Sequence, residues 1–291
     1  MTRASTTVGI VHPGSMGAAV AGQLRRHGVN VLWNPVGRSR ATVERAKAHG
    51  LEAVDGLSTL LARVDLVIAL CPPAAAEDIA RQVAAHGFAE KIYVDANAIA
   101  PQRVRRIAQL LPDSIVVDAA VVGSPPVGGK HPKLYVSGSS HGLASIEDLF
   151  ATTDVRVLSL GKEIGRASAL KLAYTSYQKA SRVLAAVAYG LADANGVADE
   201  LLDLAGQRTR SYLTEPDYIP KTAARAWRWA PELEDAADLL AESGLPDRFM
   251  RETAAVLRRW DDVRDRPLSV TQALELLSAA ETDGPEGTVE E

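Results

Sequence analysis

The chain has 291 residues, 47% hydrophobic and 23% charged, with 32 Lys and Arg against 36 Asp and Glu and a formal net charge of -4. That length and balance suit two soluble domains with buried cores, and they exclude a general attraction to nucleic acid or to an anionic membrane. A single cysteine, Cys71, excludes an internal disulfide and a thiolate metal cluster, and the six histidines show no zinc-type spacing, so no metal is expected. No run approaches the roughly 18 apolar residues of a membrane span, and MTRASTTVGI enters a strand directly, so a cytoplasmic protein acting on a small molecule is expected.

In chain order, short β-branched runs predict strands at 8–11, 29–33, 66–70, 92–95, 114–120, 133–137 and 155–159. Helical patterns begin near Met16, Arg40, Ala75, Pro101 and Ser145. This alternation predicts an α/β fold: a Rossmann-type, doubly wound parallel sheet covered on both faces, over residues 1–161. Beyond Gly161 the strand signals stop. An alanine-rich, proline-free pattern over 164–195 predicts one long helix, opening an all-α domain over 162–280 for substrate binding and dimerisation. Breaks are expected at Glu215-Pro216, Ala230-Pro231 and Gly244-Leu245-Pro246, and ETDGPEGTVEE, residues 281–291, reads as an acidic, disordered tail.

The first strand runs into HPGSMG, residues 12–17, where a dinucleotide fingerprint G-x-G-x-x-G would place its glycines. Gly14 and Gly17 occupy the second and third positions, and His12 the first. The second glycine brings backbone to the pyrophosphate and the third brings helix to strand, so the segment His12, Pro13, Gly14, Ser15, Met16, Gly17 keeps both functions. His12-Pro13 can form the tight turn by another route, because proline fixes its own φ and restricts the residue before it. After the second strand comes WNPVGRSR. An acidic residue there would bind the ribose hydroxyls of NAD; the uncharged Asn34, followed by Arg38, Ser39 and Arg40, suits an added phosphate and predicts NADP(H).

The ordered motifs HPGSMG (12–17), LCPPAAA (70–76), YVDANAIAP (93–101), VVDAAVVGSPPVGG (116–129), LYVSG (134–138), GRASALKLAYTSYQKAS (165–181) and AWRWAPELEDAADLLAESGLP (226–246) carry a resemblance. Together they resemble the β-hydroxyacid dehydrogenase and 6-phosphogluconate dehydrogenase superfamily, in the branch with a phosphogluconate dehydrogenase-like C-terminal domain of unknown function. The resemblance implies that Lys171, on the long interdomain helix, is the acid/base beside the nicotinamide, with Ala167 where the family motif has its second glycine. It implies cofactor contacts at Cys71, Pro72, Pro73 and Asn97, and a homodimer. Substrate contacts are implied at Val122, Gly123 and Ser124, at Tyr174 and Thr175 where the family has asparagine, and at Trp229. This chain departs from the pattern at Val122, which has no side-chain donor for a substrate carboxylate, and at Pro231-Glu232, where family members often show lysine and aspartate.

The expected activity is hydride transfer between NADP(H) and a carbonyl or hydroxyl carbon of a small organic substrate, with Lys171 exchanging the proton. Two alternatives stand beside it: imine reduction on the same scaffold with Tyr174 as proton donor, and binding of the nicotinamide nucleotide without catalysis.

Overall fold

A computed structural model describes residues 6–207, 212, 215–264 and 266–278; the expected tail over 281–291 lies outside the described residues. Residues up to Tyr177 form one compact unit and those from Gln178 onward a second.

The first unit is built on eight strands: β1 (Thr7–Ile10), β2 (Asn30–Trp33), β3 (Glu52–Ala53), β4 (Leu66–Ala69), β5 (Ile92–Asp95), β6 (Ile115–Val122), β7 (Lys133–Gly138) and β8 (Arg156–Ser159). Their order is β3-β2-β1-β4-β5-β6-β7-β8. Helices α1 (Ser15–Arg26), α2 (Arg40–Ala48), α3 (Gly56–Arg63), α4 (Ala76–Ala85), α5 (Pro101–Leu110) and α6 (Ser140–Phe150) connect them. Because successive side chains of a strand point to opposite faces, each run feeds two cores. Val31, Trp33, Leu66 and Ile68 join the core that also holds Val20, Leu24, Ile146 and Phe150 of α1 and α6. Leu32 and Val67 join the core that holds Leu60, Ile79, Val104 and Ile107 of α3, α4 and α5. Both faces are therefore covered, and the central strands read as unbroken apolar runs.

Three local expectations are corrected. The sheet is parallel except between β6 and β7, which pair antiparallel. The two strands are joined by residues 123–132, a loop with no crossover helix, and only such a helix would bring the chain back in the same direction. Helix α6 starts at Ser140, five residues before the expected Ser145, because the Ser139 hydroxyl accepts a hydrogen bond from the Gly142 amide and closes its first turn. β3 and α3 had no counterpart among the predicted elements.

Helix α7 (Arg166–Ala194) belongs in part to each unit. The compact division therefore falls inside this helix, later than the expected boundary at Gly161. The second unit continues with α8 (Ala198–Gly206), α9 (Tyr218–Ala223), α10 (Ala226–Glu242), α11 (Arg248–Arg258) and α12 (Val270–Ser278). Ala223, Ala226, Ala230, Ala254, Leu257 and Trp260 form its main core, and the Trp260 indole donates to the Ala273 carbonyl at 2.9 Å. Gly244, with φ +69°, separates α10 from α11. The expected break at Ala230-Pro231 does not occur: Pro231 lies inside α10. Its ring removes one backbone hydrogen bond near the helix start, and the fully buried Ala226 and Ala230 on either turn keep the helix on its core.

Candidate active site

The C-terminal ends of β1, β4, β5 and β6 share one edge of the sheet, since these four strands are mutually parallel. At the end of β1 the chain makes a tight turn in which the Gly14 amide donates to the His12 carbonyl at 2.8 Å. Helix α1 then starts with no side-chain cap, as α3, α4 and α5 also do, whereas Ser39 closes α2 and Ser139 closes α6. The first-turn amides of α1 thus meet no capping side chain, and its positive dipole end, beside the glycine turn, can receive an anion. Gly17 has no room for a side chain: a Cβ there would lie 2.7 Å from the His12 carbonyl oxygen.

Two guanidiniums reach this turn. Arg38 places one terminal nitrogen 3.2 Å from His12 Nδ1 and donates with the other to the Val11 carbonyl at 3.3 Å. Its Nε is buried without a hydrogen-bond partner. Arg45, on α2, donates to the Pro13 carbonyl at 3.2 Å. Burial first, then the charges of Arg38 and Arg45, hold the His12 imidazolium below its ordinary pKa. Asn34 accepts from the Val36 amide at 3.0 Å and, with Arg38, lines a cleft of about 290 Å³ together with Val11, Leu57, Ala75 and Ile79. Two other predicted phosphate contacts are otherwise engaged: the Ser39 hydroxyl caps α2, and Arg40 is 94% exposed and paired with Glu44 at 3.6 Å.

The loops after β4 and β5 are tied together. Asn97 Oδ1 accepts from the Cys71 amide at 2.7 Å, while its amide nitrogen donates to Asp95 Oδ2 at 3.0 Å. Pro72 and Pro73 continue that loop into a short 3-10 turn, Pro73–Ala75. The Cys71 thiol is buried, and burial reinforced by Asp95 pushes it up to about 11, so it stays protonated and serves as packing.

Strand β6 holds helix α7 at two points. The first is Asp118, fully buried, whose Oδ2 accepts from the amides of Gly165 (3.0 Å) and Ser168 (3.1 Å) and from the Ser137 hydroxyl (3.0 Å). Its Oδ1 accepts from the Ser168 hydroxyl at 2.6 Å. A carboxylate at a helix N-terminus satisfies amides that have no partner within the helix and complements its dipole. The second point is Lys171, whose Nζ donates to the Val121 carbonyl at 2.8 Å, one residue before β6 ends at Val122. Gly123 (φ +121°) and the exposed Ser124 open the following loop beside it. Tyr174, 39% exposed, lies about one turn further along α7, followed by the partly exposed Thr175. Trp229 belongs to the second unit, packed against the core of α9, α10 and α11.

Asp118 and Arg45 are among the residues of this site that the expected set lacks. Asp118 carried a signal, a carboxylate inside the apolar run VVDAAVV, since a charge in a doubly covered strand needs partners. Arg45 carried none: a basic residue in a nine-residue polar helix ordinarily faces solvent. Among the described residues no three His, Cys, Asp or Glu side chains are grouped to hold a metal ion, and no helix is long and apolar enough to cross a membrane.

The open helix start, the glycine cradle at Gly17 and the orphaned Arg38 Nε fit a phosphate-bearing nucleotide along the carboxyl edge of the sheet. Fold and site thus define a Rossmann-type nucleotide-binding unit joined to a helical one. The chain belongs to the family of the NAD binding domain of 6-phosphogluconate dehydrogenase, which matches residues 7–161. Residues 192–260 match a domain of unknown function, DUF1932. An uncharacterised 28.5 kDa protein of Methanothermus fervidus is 28% identical over 168 residues, 58% of this chain and 64% of that protein. The match thus spans less than two thirds of that curated relative. A conserved protein of unknown function, described as structurally similar to 3-hydroxyacid dehydrogenases, is 25% identical with a TM-score of 0.58, covering 94% of this chain and 100% of its own. A reductive aminase from Aspergillus terreus, in complex with NADPH and ethyl levulinate, gives a TM-score of 0.72 at 21% identity over 93% of this chain and 99% of its own. An imine reductase variant from Myxococcus stipitatus, in complex with NAD+, gives 0.76 at 15% identity over 94% and 100%. The last two share the fold.

Proposed function

We propose that this chain is an NADP(H)-dependent oxidoreductase that moves hydride to or from a carbonyl or hydroxyl carbon of a small organic substrate, with Lys171 exchanging the proton. The observation that carries this reading is the placement of Lys171 Nζ on the Val121 carbonyl, on the same edge of the sheet as the open start of α1. β1 and β6 are three strand spacings apart, about 14 Å, a separation that an extended dinucleotide spans. Bound along that edge, the nicotinamide supplies or takes the hydride. The ammonium of Lys171, fixed on the Val121 carbonyl, is an N–H donor of the kind that can hand a proton to a substrate oxygen. Gly123 and Ser124 offer backbone and hydroxyl groups in place of the serine that Val122 replaces. The second reading, reduction of a carbon-nitrogen double bond, has in its favour the exposed Tyr174 phenol about one turn from Lys171.

Preference for NADPH over NADH is supported by the uncharged Asn34 and by Arg38 and Arg45, neither of which is ion-paired among the described residues. Arg38→Ala should weaken NADPH binding at least tenfold more than NADH binding, in line with about 1.5–3 kcal/mol for a charge-assisted hydrogen bond. Equal losses for both cofactors, measured by nicotinamide fluorescence, would remove the phosphate assignment. A homodimer is part of the same proposal, since Leu184, Tyr189, Leu202 and Leu204 of α7 and α8 are exposed. Sedimentation as a monomer at micromolar concentration contradicts it.

A further inference from the structure

His12 stands where the fingerprint has a glycine, and its ring contacts both halves of the phosphate-binding region. Arginine only donates, so the Nδ1 that faces Arg38 at 3.2 Å is an acceptor, and the ring is neutral with its proton on Nε2. On the other side the ring lies against the turn: a Cβ built on Gly14 would meet Cδ2 at 3.4 Å and Nε2 at 3.6 Å. We propose that His12 couples recognition of the ribose phosphate to recognition of the pyrophosphate: a phosphate at the end of β2 draws Arg38 off Nδ1, and the freed imidazole takes a proton from solvent and adds a cation beside the turn. This inference rests on the NADP(H) reading above and goes beyond it, because it makes the cofactor preference depend on His12 and on pH.

The charged groups facing the ring are Arg38, from the turn between β2 and α2, and Arg45, from α2. The first turn of α1 presents Ser15, Met16, Gly17 and Ala18, none ionisable near neutrality. The nearby loop after β4 contributes Cys71, which stays neutral. In the free protein both arginines disfavour a protonated His12. A bound ribose phosphate neutralises Arg38 and reverses that bias, so the pKa of His12 rises on binding. Affinity for the phosphorylated cofactor then increases as pH falls through the window between the two values, by at most about tenfold per pH unit for one linked proton. NADH leaves Arg38 on Nδ1 and lacks this term. The second ionisation of the ligand's own phosphate, near about pH 6, acts in the opposite direction, because its protonation weakens the arginine contact.

The test is the ratio of NADH to NADPH dissociation constants from about pH 8 to pH 6, measured by fluorescence on wild type and on His12→Asn, whose amide oxygen can still accept from Arg38 but takes up no proton. The expected result is a severalfold rise of the ratio in wild type toward low pH and a flat or falling ratio in His12→Asn. A flat or falling ratio in wild type, or the same rise in His12→Asn, overturns the coupling. Arg38→Ala separates the two layers. An unchanged ratio at pH 8 removes the ribose-phosphate reading and the coupling with it; a collapsed ratio, with no rise in wild type, leaves the reading and removes the coupling. Should His12→Asn not fold, nitrogen-15 titration of the His12 ring in wild type decides. Adenosine 2′,5′-bisphosphate should raise its pKa and 5′-AMP should not, and equal shifts or none overturn the proposal.

Discussion

Asp95 ends β5 fully buried, directly in register with Asp118 on the neighbouring strand. Burial pushes its carboxyl up to about 6; the hydrogen bonds from Asn97 oppose that, and the Asp118 carboxylate adds to it. A carboxyl whose folded value lies above its unfolded value favours the folded state fully below the unfolded value, and that contribution is lost as pH rises through about 6. Asp95→Asn removes the titration while disturbing the contact with Asn97, so the variant should be less stable than wild type at acidic pH. Its deficit should shrink between about pH 4.5 and pH 7.5 by an amount on the order of 1–2 kcal/mol. Urea unfolding at the two pH values checks this, and a deficit that stays constant or grows contradicts it. His12 and Arg38 belong to the same scale. The sequence places them beside the fingerprint, but not the contact between them, which depends on how the turn after β2 folds back over β1.

At the scale of elements, α7 depends on β6. Asp118 accepts from two backbone amides and two hydroxyls, so removing its carboxylate leaves buried donors without partners. Asp118→Ala should cost about 2–4 kcal/mol of unfolding free energy, and Asp118→Asn, which keeps one carbonyl oxygen, should cost less. A loss below about 1 kcal/mol for the alanine variant would mean that solvent or a rearranged turn replaces the clamp. The helix itself was legible in the sequence, as an alanine-rich, proline-free stretch. What holds it was not, because one aspartate in an apolar strand does not say which donors it meets. β3 and α3 were missed for a different reason: two strand residues and eight helical ones are too short for a period to show. The end of β6 was expected at residue 120, yet the strand reaches Val122 through its pairing with Lys133. That extension places the Val121 carbonyl where Lys171 binds it. In sequence Pro231 reads as a stop because proline interrupts helices locally; the buried alanines of α10 that override it are a tertiary effect.

At the scale of the whole molecule, the order strand, turn, helix, strand and the change to all-helical sequence were readable from periodicity, and the family membership rests on the same first unit. The substrate was not readable, because Val122, at the end of β6, lacks the side-chain donor that the family pattern has at that place. The proposed reaction turns on Lys171 as the group that carries the proton during hydride transfer. The most direct test is steady-state turnover with NADPH over a panel of carbonyl and imine substrates, comparing wild type with Lys171→Ala and Tyr174→Phe and recording NADPH affinity for each. Lys171→Ala should lower turnover of a carbonyl substrate by about a hundredfold to ten-thousandfold with NADPH affinity kept within a few fold, and Tyr174→Phe should cost less. A larger loss in Tyr174→Phe, or full turnover in Lys171→Ala, would contradict it.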